Sequence, residues 1–344
     1  MRRTPALPAV FALCSALCLH ADEPPVPGRV RGEVRVSRVV LDAYVTDGAG
    51  DAIPDLAPAD FRVRAGGKEM EVESAEWIPA GTSEGPAEEA PRAPGEAPPG
   101  VRYPPGRILV FFIQADIGRH RAKGLMRVRS EIGRLLDTLV PTDRAAVVRF
   151  DSHLTLLCDL TADRFALEAA LDEGLLQGTS PPVTFSPFPS LAANFDFNAG
   201  LRAPNVERAL DLVSRALVPI PGGKALLFLG WGLGIDRAPR EAADLSRAFA
   251  SMAAARINVF TLDVSDADWH TLEVTLQATS ALTGGTYQKT HIFAHAAVAR
   301  LAKTLGGRYV LVCVVPDDGD LSLLDVTLRK RRGEVVSRAY TFAP

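Results

Sequence analysis

The chain has 344 residues, 47% of them hydrophobic, and its 38 basic and 41 acidic side chains give a formal net charge of -3. That is length enough for one large domain and a smaller one, each able to bury apolar surface. The balance argues against a nucleic-acid partner, and the one tetrabasic run, Arg329-Lys330-Arg331-Arg332, reads as the tip of a β-hairpin.

Residues 1–21 have the pattern of an export signal. Arg2 and Arg3 precede an apolar stretch from Ala6 to Leu19 that is too short to span a bilayer, with cleavage expected after Ala21. The expected location is the periplasm, the cell surface or the medium, with no membrane insertion once the signal is removed. Cys14 and Cys18 leave with it. Cys158 and Cys313 stay, each inside an apolar stretch, and the sequence leaves open whether they pair.

Residues 30–77 predict a small β module. Val34, Val36, Val39, Leu41, Ala43 and Val45 suggest strands, Gly48-Ala49-Gly50 a turn, and Phe61 to Arg64 a strand that turns at Gly66-Gly67 toward Met70 and Val72. From residue 78 to 106 the composition falls to Pro, Gly, Ala and Glu, too poor in apolar residues to offset ordering entropy, and predicts a linker.

Residues 107–305 predict the large domain. Arg107 opens an unbroken apolar run, Ile-Leu-Val-Phe-Phe-Ile, that ends at Gln114 and fits a strand covered on both faces. Leu125, Val128, Ile132, Leu135, Leu136 and Leu139 then recur at helical spacing up to Pro141. Ala145 to Phe150 and Leu154 to Leu160 read as a parallel and an antiparallel strand joined at Asp151-Ser152-His153. After a second helix comes an irregular insertion, 176–203, carrying Phe185, Phe188, Phe195 and Phe197. Helices with Val206, Leu210, Val213 and Leu217, and with Ala242, Leu245, Phe249 and Met252, inward alternate with strands at 224–229 and 257–262. Two more helices end at Gly284-Gly285 and Gly306-Gly307, pairs suited to left-handed caps. The expected class is α/β, a doubly wound, mostly parallel sheet. Strands in 308–344 are expected to pack with the N-terminal module into a flanking sandwich-like unit, since each part alone is too small for a core.

This order resembles a von Willebrand factor type A domain, and the flanks resemble the VWFA-related proteins abundant in acidobacteria. The residues that carry the resemblance are Leu41-Asp42-Ala43-Tyr44-Val45-Thr46-Asp47 with Asp60-Phe61 and Gly67-Lys68, Pro141-Thr142-Asp143-Arg144, Gly284-Gly285-Thr286-Tyr287 and Arg308-Tyr309-Val310-Leu311. The resemblance implies a head of the sheet where a divalent ion is held by an Asp-x-Ser-x-Ser run, a Thr and a later Asp. Here the first run aligns as Gln114-Ala115-Asp116-Ile117-Gly118, the Thr falls near Pro204 or Asn205, and the Asp falls at Gly230-Trp231-Gly232. The ion site therefore reads as lost, and no metal or cofactor is expected.

No catalytic residues are expected either. Gly230-x-Gly232-x-Gly234 reads as a tight turn rather than a dinucleotide loop, His291 and His295 as solvent-facing helix residues rather than a zinc pair, and Asp116, Asp143 and Asp151 have no partners. The expected function is an exported, non-catalytic module that binds another protein without metal, through a head surface of Gln114, Asp116, Phe185, Phe188, Phe195, Phe197 and Trp231. The alternatives are a spacer in a larger envelope assembly and a metal-dependent adhesion domain with a non-standard ion site.

Overall fold

The computed structural model describes residues 37–80, 106–115, 119–176, 182–187, 189–234, 239–315 and 323–339. They begin with β1 (Ser37–Thr46), β2 (Phe61–Ala65) and β3 (Lys68–Pro79). The β2–β3 turn holds Gly66 at φ 54° and Gly67 at φ 83°, a doubly left-handed geometry that glycine adopts without strain. β3 runs on through a buried Ile78, two residues into the stretch read as linker.

The α/β part follows as β4 (Ile108–Gln114), α1 (Arg119–Leu136), β5 (Arg144–Phe150), β6 (Leu154–Thr161) and α2 (Arg164–Leu176). After the insertion come α3 (Phe197–Leu201), α4 (Val206–Leu217), β7 (Lys224–Gly230), α5 (Pro239–Ala254) and β8 (Ile257–Asp263). The run closes with α6 (Glu273–Thr283), β9 (Tyr287–Lys289) and α7 (Ala294–Thr304). The sheet order is β6-β5-β4-β7-β8-β9, parallel throughout except for β6. Because it is covered on both sides, β4 needs no polar alternation. Ile108, Val110 and Phe112 enter the core under α4, α5 and α6, while Leu109, Phe111 and Ile113 enter the one under α1, α2 and α7. Each such side chain contributes about 1.5–3 kcal/mol by leaving water.

The chain ends in β10 (Gly307–Val315), β11 (Leu324–Leu328) and β12 (Glu334–Ser337). These interleave with the first three strands in one antiparallel sheet, β11-β2-β3-β10-β1-β12. The flanking module is thus built from both chain ends around Leu41, Val45, Phe61, Val63, Tyr309 and Leu311. Its two edge strands are consecutive in sequence. A flat six-stranded sheet is about 24 Å across, whereas the link from Leu328 to Glu334 reaches at most about 22 Å, so the sheet must curl. Arg329 to Arg332 accordingly join opposite edges and do not tip a hairpin. Arg329 donates to the Phe61 carbonyl (3.0 Å) and pairs with Glu69.

Three further expectations are corrected. On α5 the buried positions are Glu241, Asp244, Ala248 and Met252, while Ala242 is exposed: polar contacts with α4 set the face, not apolar spacing alone. Gly284 does cap α6 at φ 78°, but Gly306 and Gly307 have no left-handed conformation. A Cβ on Gly307 would stand 2.3 Å from the Trp77 ring, so this glycine serves close packing. His291 precedes α7 and bonds Asp266 (3.0 Å), whereas His295 on α7 bonds Glu131 (3.0 Å), so the two imidazoles do not converge.

The two sheets meet at a charged seam. Asp42 on β1, 3% exposed, accepts from Arg256 just before β8 (2.8 and 3.1 Å) and from Arg308 on β10 (3.0 Å). Tyr44, two residues on, lies on the same face of β1 and packs edge-on against Phe260 at 5.0 Å. Burial pushes its phenol up to about 12. Arg107 braces the other side, with bonds to Asp143 and to the Leu305 and Thr138 carbonyls. No helix among the described residues is long and apolar enough to cross a membrane.

Candidate binding surface at the head of the sheet

β4 has β5 on one side and β7 on the other, so the connections reverse direction beside it, and ligands of such sheets sit beyond the strand ends there. Gln114 ends β4 at this point but is 2% exposed and fully engaged. Its Oε1 accepts from Trp231 N–H (2.9 Å) and Gly232 N–H (3.1 Å), and its Nε2 donates to the Gly232 carbonyl (2.9 Å). An added Cβ on Gly230 would lie 2.6 Å from Gln114 Oε1, so glycine there is what lets the amide close on the loop. A second clamp holds the same loop from α4, where Glu207 Oε1 accepts from Gly234 N–H (2.6 Å).

These contacts decide whether the described donors fit the ion that the resemblance implies. Gln114 is consumed by backbone, and the loop after β7 carries no side-chain oxygen from Gly230 to Gly234. Asn205 caps α4 through Arg208 N–H (2.8 Å) and donates to Asp244 (3.0 Å). Among the described residues no three His, Cys, Asp or Glu side chains stand where they could share a metal ion. The described donor set does not fit a hard divalent cation, which needs several free oxygens. Asp116 lies outside the described residues, as does Phe188.

The second oxygen of Glu207 has no partner, and the residue is fully buried. Burial, with Glu241 and Asp244 nearby, raises its carboxyl above the usual range. A raised folded value means that stability is lost as pH climbs from about 4.3, the unfolded value, through the folded one. Glu207→Gln keeps the acceptor for Gly234 and removes the charge. It should stabilise by about 1–2 kcal/mol at pH 7, and the gain should vanish near pH 4, as read by thermal melts at the two pH values.

The phenylalanines divide. Phe195 is 7% exposed and belongs to the core under α4, so it offers no surface. Phe185 and Phe197, 57% and 39% exposed, stack at 6.1 Å, and Phe197 rests edge-on against Phe195 at 5.0 Å. Trp231 packs instead against the opposite core under α1, with the Arg121 guanidinium 3.2 Å over its ring, so it does not gather with them. The insertion is held by a residue that apolar periodicity conceals. Asp159 on β6, 2% exposed, accepts five bonds of 2.7–3.0 Å, from the N–H groups of Leu160, Ser186, Leu191 and Ala192 and from Ser190 Oγ. A lone carboxylate in the apolar run Leu154 to Leu160 was its only signal.

Ser265, His270 and Asp263 have the composition of a hydrolytic triad but not its geometry. One nitrogen, Nε2, faces both Asp263 (2.7 Å) and Ser265 (3.2 Å), so the imidazole cannot relay a proton between them. Asp143 is held by Arg107, and Asp151 by Ser152 and His153. The Cys158 and Cys313 thiols are free, and burial pushes both up to about 11, away from reactive thiolate.

No family model matches this sequence, and no curated protein matches it. Solved structures similar to it include a von Willebrand factor type A protein from Catenulispora acidiphila, at 13% identity over 84% of this chain and 75% of that one, TM-score 0.42. BatB from Bacteroides thetaiotaomicron shares 14% identity over 58% and 98%, TM-score 0.37. The manganese-loaded TRAP protein of Plasmodium vivax shares 12% over 65% and 78%, TM-score 0.38. Identities this low carry nothing about function.

Proposed function

We propose that the chain is an exported, non-catalytic protein-recognition module of the von Willebrand factor type A kind, which engages its partner through the aromatic insertion beside β6 without a metal ion. The observation that carries this reading is the exposed Phe185–Phe197 stack, pinned to the sheet edge through Asp159. Exposed aromatic rings held in one place bury much area on binding at little entropic cost, which is what interface anchors need. The Gln114 and Glu207 clamps support metal independence, because they hold the loop after β7 in the way an ion would otherwise have to. Export rests on the basic and apolar start of the sequence.

The test is a crosslinking capture from native envelope with the intact protein and with the double variant Phe185→Ser, Phe197→Ser. Bands that the intact protein captures, in EDTA as well as in MgCl₂, should be lost with the variant while its Tm stays within a few degrees. Equal capture by both proteins would overturn the aromatic surface.

Metal independence has its own readout. An ion bound with micromolar affinity at millimolar concentration would stabilise the fold by about 4 kcal/mol. Thermal unfolding in EDTA and in several millimolar MgCl₂ or MnCl₂ is expected to coincide, and a saturable rise in Tm would restore the metal-dependent alternative.

A further inference from the structure

A cleft of about 310 Å³, which shares no residue with the aromatic stack, is lined by residues of α6, β9, α7, β1 and β12. Its lining includes Arg300, Glu334, Gln288, Thr286 and Thr46. The stem of Arg300 lies over Gly50, 3.6 Å from where a Cβ would stand, so part of this exposed side chain rests on the turn after β1. Its neighbour one turn on, Lys303, is spent on Asp51 (2.9 Å), but the Arg300 guanidinium and the Glu334 carboxylate make no ion pair or side-chain hydrogen bond among the described residues. A cation and an anion thus line one polar cavity.

The cavity also has a backbone wall. β9 is the last strand of its sheet, and Thr261 N–H donates to the Thr286 carbonyl, with Thr261 paired to Tyr287. In a parallel ladder that register turns the N–H and C=O of Tyr287 away from β8, onto the open edge that lines the cleft. An extended peptide can pair with such an edge.

We infer that this cleft binds a short zwitterionic peptide, with its carboxylate on Arg300, its ammonium on Glu334 and its backbone against the edge of β9. The volume suits the size: at roughly 30 Å³ per water-sized group it holds about ten, the bulk of a dipeptide. Clefts at the junction of two folded parts are common ligand sites, and here the occupant would bridge α7 to β12.

The probe is L-alanyl-L-alanine, titrated into the full mature chain and followed by ligand-observed NMR. Saturable binding with a Kd of about 1 mM is expected, as befits so small a ligand. N-acetylation and C-amidation should each weaken it at least about fivefold. In Arg300→Ala the amidated and free peptides should bind alike, and in Glu334→Gln the acetylated and free ones should. Both residues are exposed, so the variants should keep the parent Tm. No saturation up to about 10 mM, or blocked peptides that bind the parent as well as free ones, would overturn the site. The phenylalanine stack is untouched by these variants, so partner capture there stands or falls separately.

Discussion

Asp42→Asn should lower the stability of the whole chain by about 3–5 kcal/mol, because the change leaves two guanidinium groups facing each other in a buried seam without the charge that both of them use. In a domain of this size that corresponds to a fall of roughly 10 °C in Tm, measured by calorimetry. Burial by itself would raise the Asp42 carboxyl, but Arg256 and Arg308 outweigh it and hold the group below the usual carboxylate range. The sign of the pH effect follows. A lowered folded value gives stability that is present above about pH 4, the unfolded value, and is lost as pH falls through the folded one. The variant should therefore lose part of the acid sensitivity of the parent as well as its height at pH 7. Arg256 strengthens the expectation, since it holds a left-handed φ of 53° that a non-glycine residue adopts at a cost. A loss under about 1 kcal/mol would mean that Tyr44 on Phe260 and its apolar neighbours hold the seam, with the charges incidental.

That seam shows where sequence reading stops. The doubly wound sheet was legible because its signals are local: an unalternated run at β4, helical spacing in α1 and α4, turn chemistry at Gly66-Gly67 and Asp151 to His153. Sharing a core between the chain ends could be argued too, since neither end has enough apolar surface alone. Arg256 and Arg308 each lie more than two hundred residues from Asp42 and the three carry no periodicity, so nothing in the sequence brings them together. The misses on α5 have the same origin. Apolar spacing placed Ala242 inward, whereas Asp244 is drawn in by Asn205, a polar contact that a hydrophobic pattern cannot see. In the sequence Gln114 reads only as a departure from the expected ion ligand. Its actual work, holding the backbone of Trp231 and Gly232, needed the position of the next strand.

Asp159→Ala should have the second large effect, and a different kind of consequence. The carboxylate takes four backbone N–H groups and one hydroxyl, three of them from the stretch 190–192. Removing it strands buried donors that each cost about 1–3 kcal/mol when unmet. Partial relaxation and water entry bring the expected total to about 3–4 kcal/mol rather than the full sum. The damage should be local first, since β6 is an edge strand and the insertion covers its open side. Hydrogen exchange should rise at Ser186, Leu191 and Ala192 well before it rises on β4 or β7, because donors freed at an edge open without unfolding the centre. Partner capture should fall along with that protection, because Phe185 and Phe197 would no longer be held as a stack. Asp159→Asn separates the two causes. An amide keeps one acceptor oxygen, so it should retain part of the order around Leu191 and a matching part of the capture. If Asp159→Ala opens the insertion and leaves capture intact, the aromatic stack is a cover for the sheet edge and not the surface that a partner recognises.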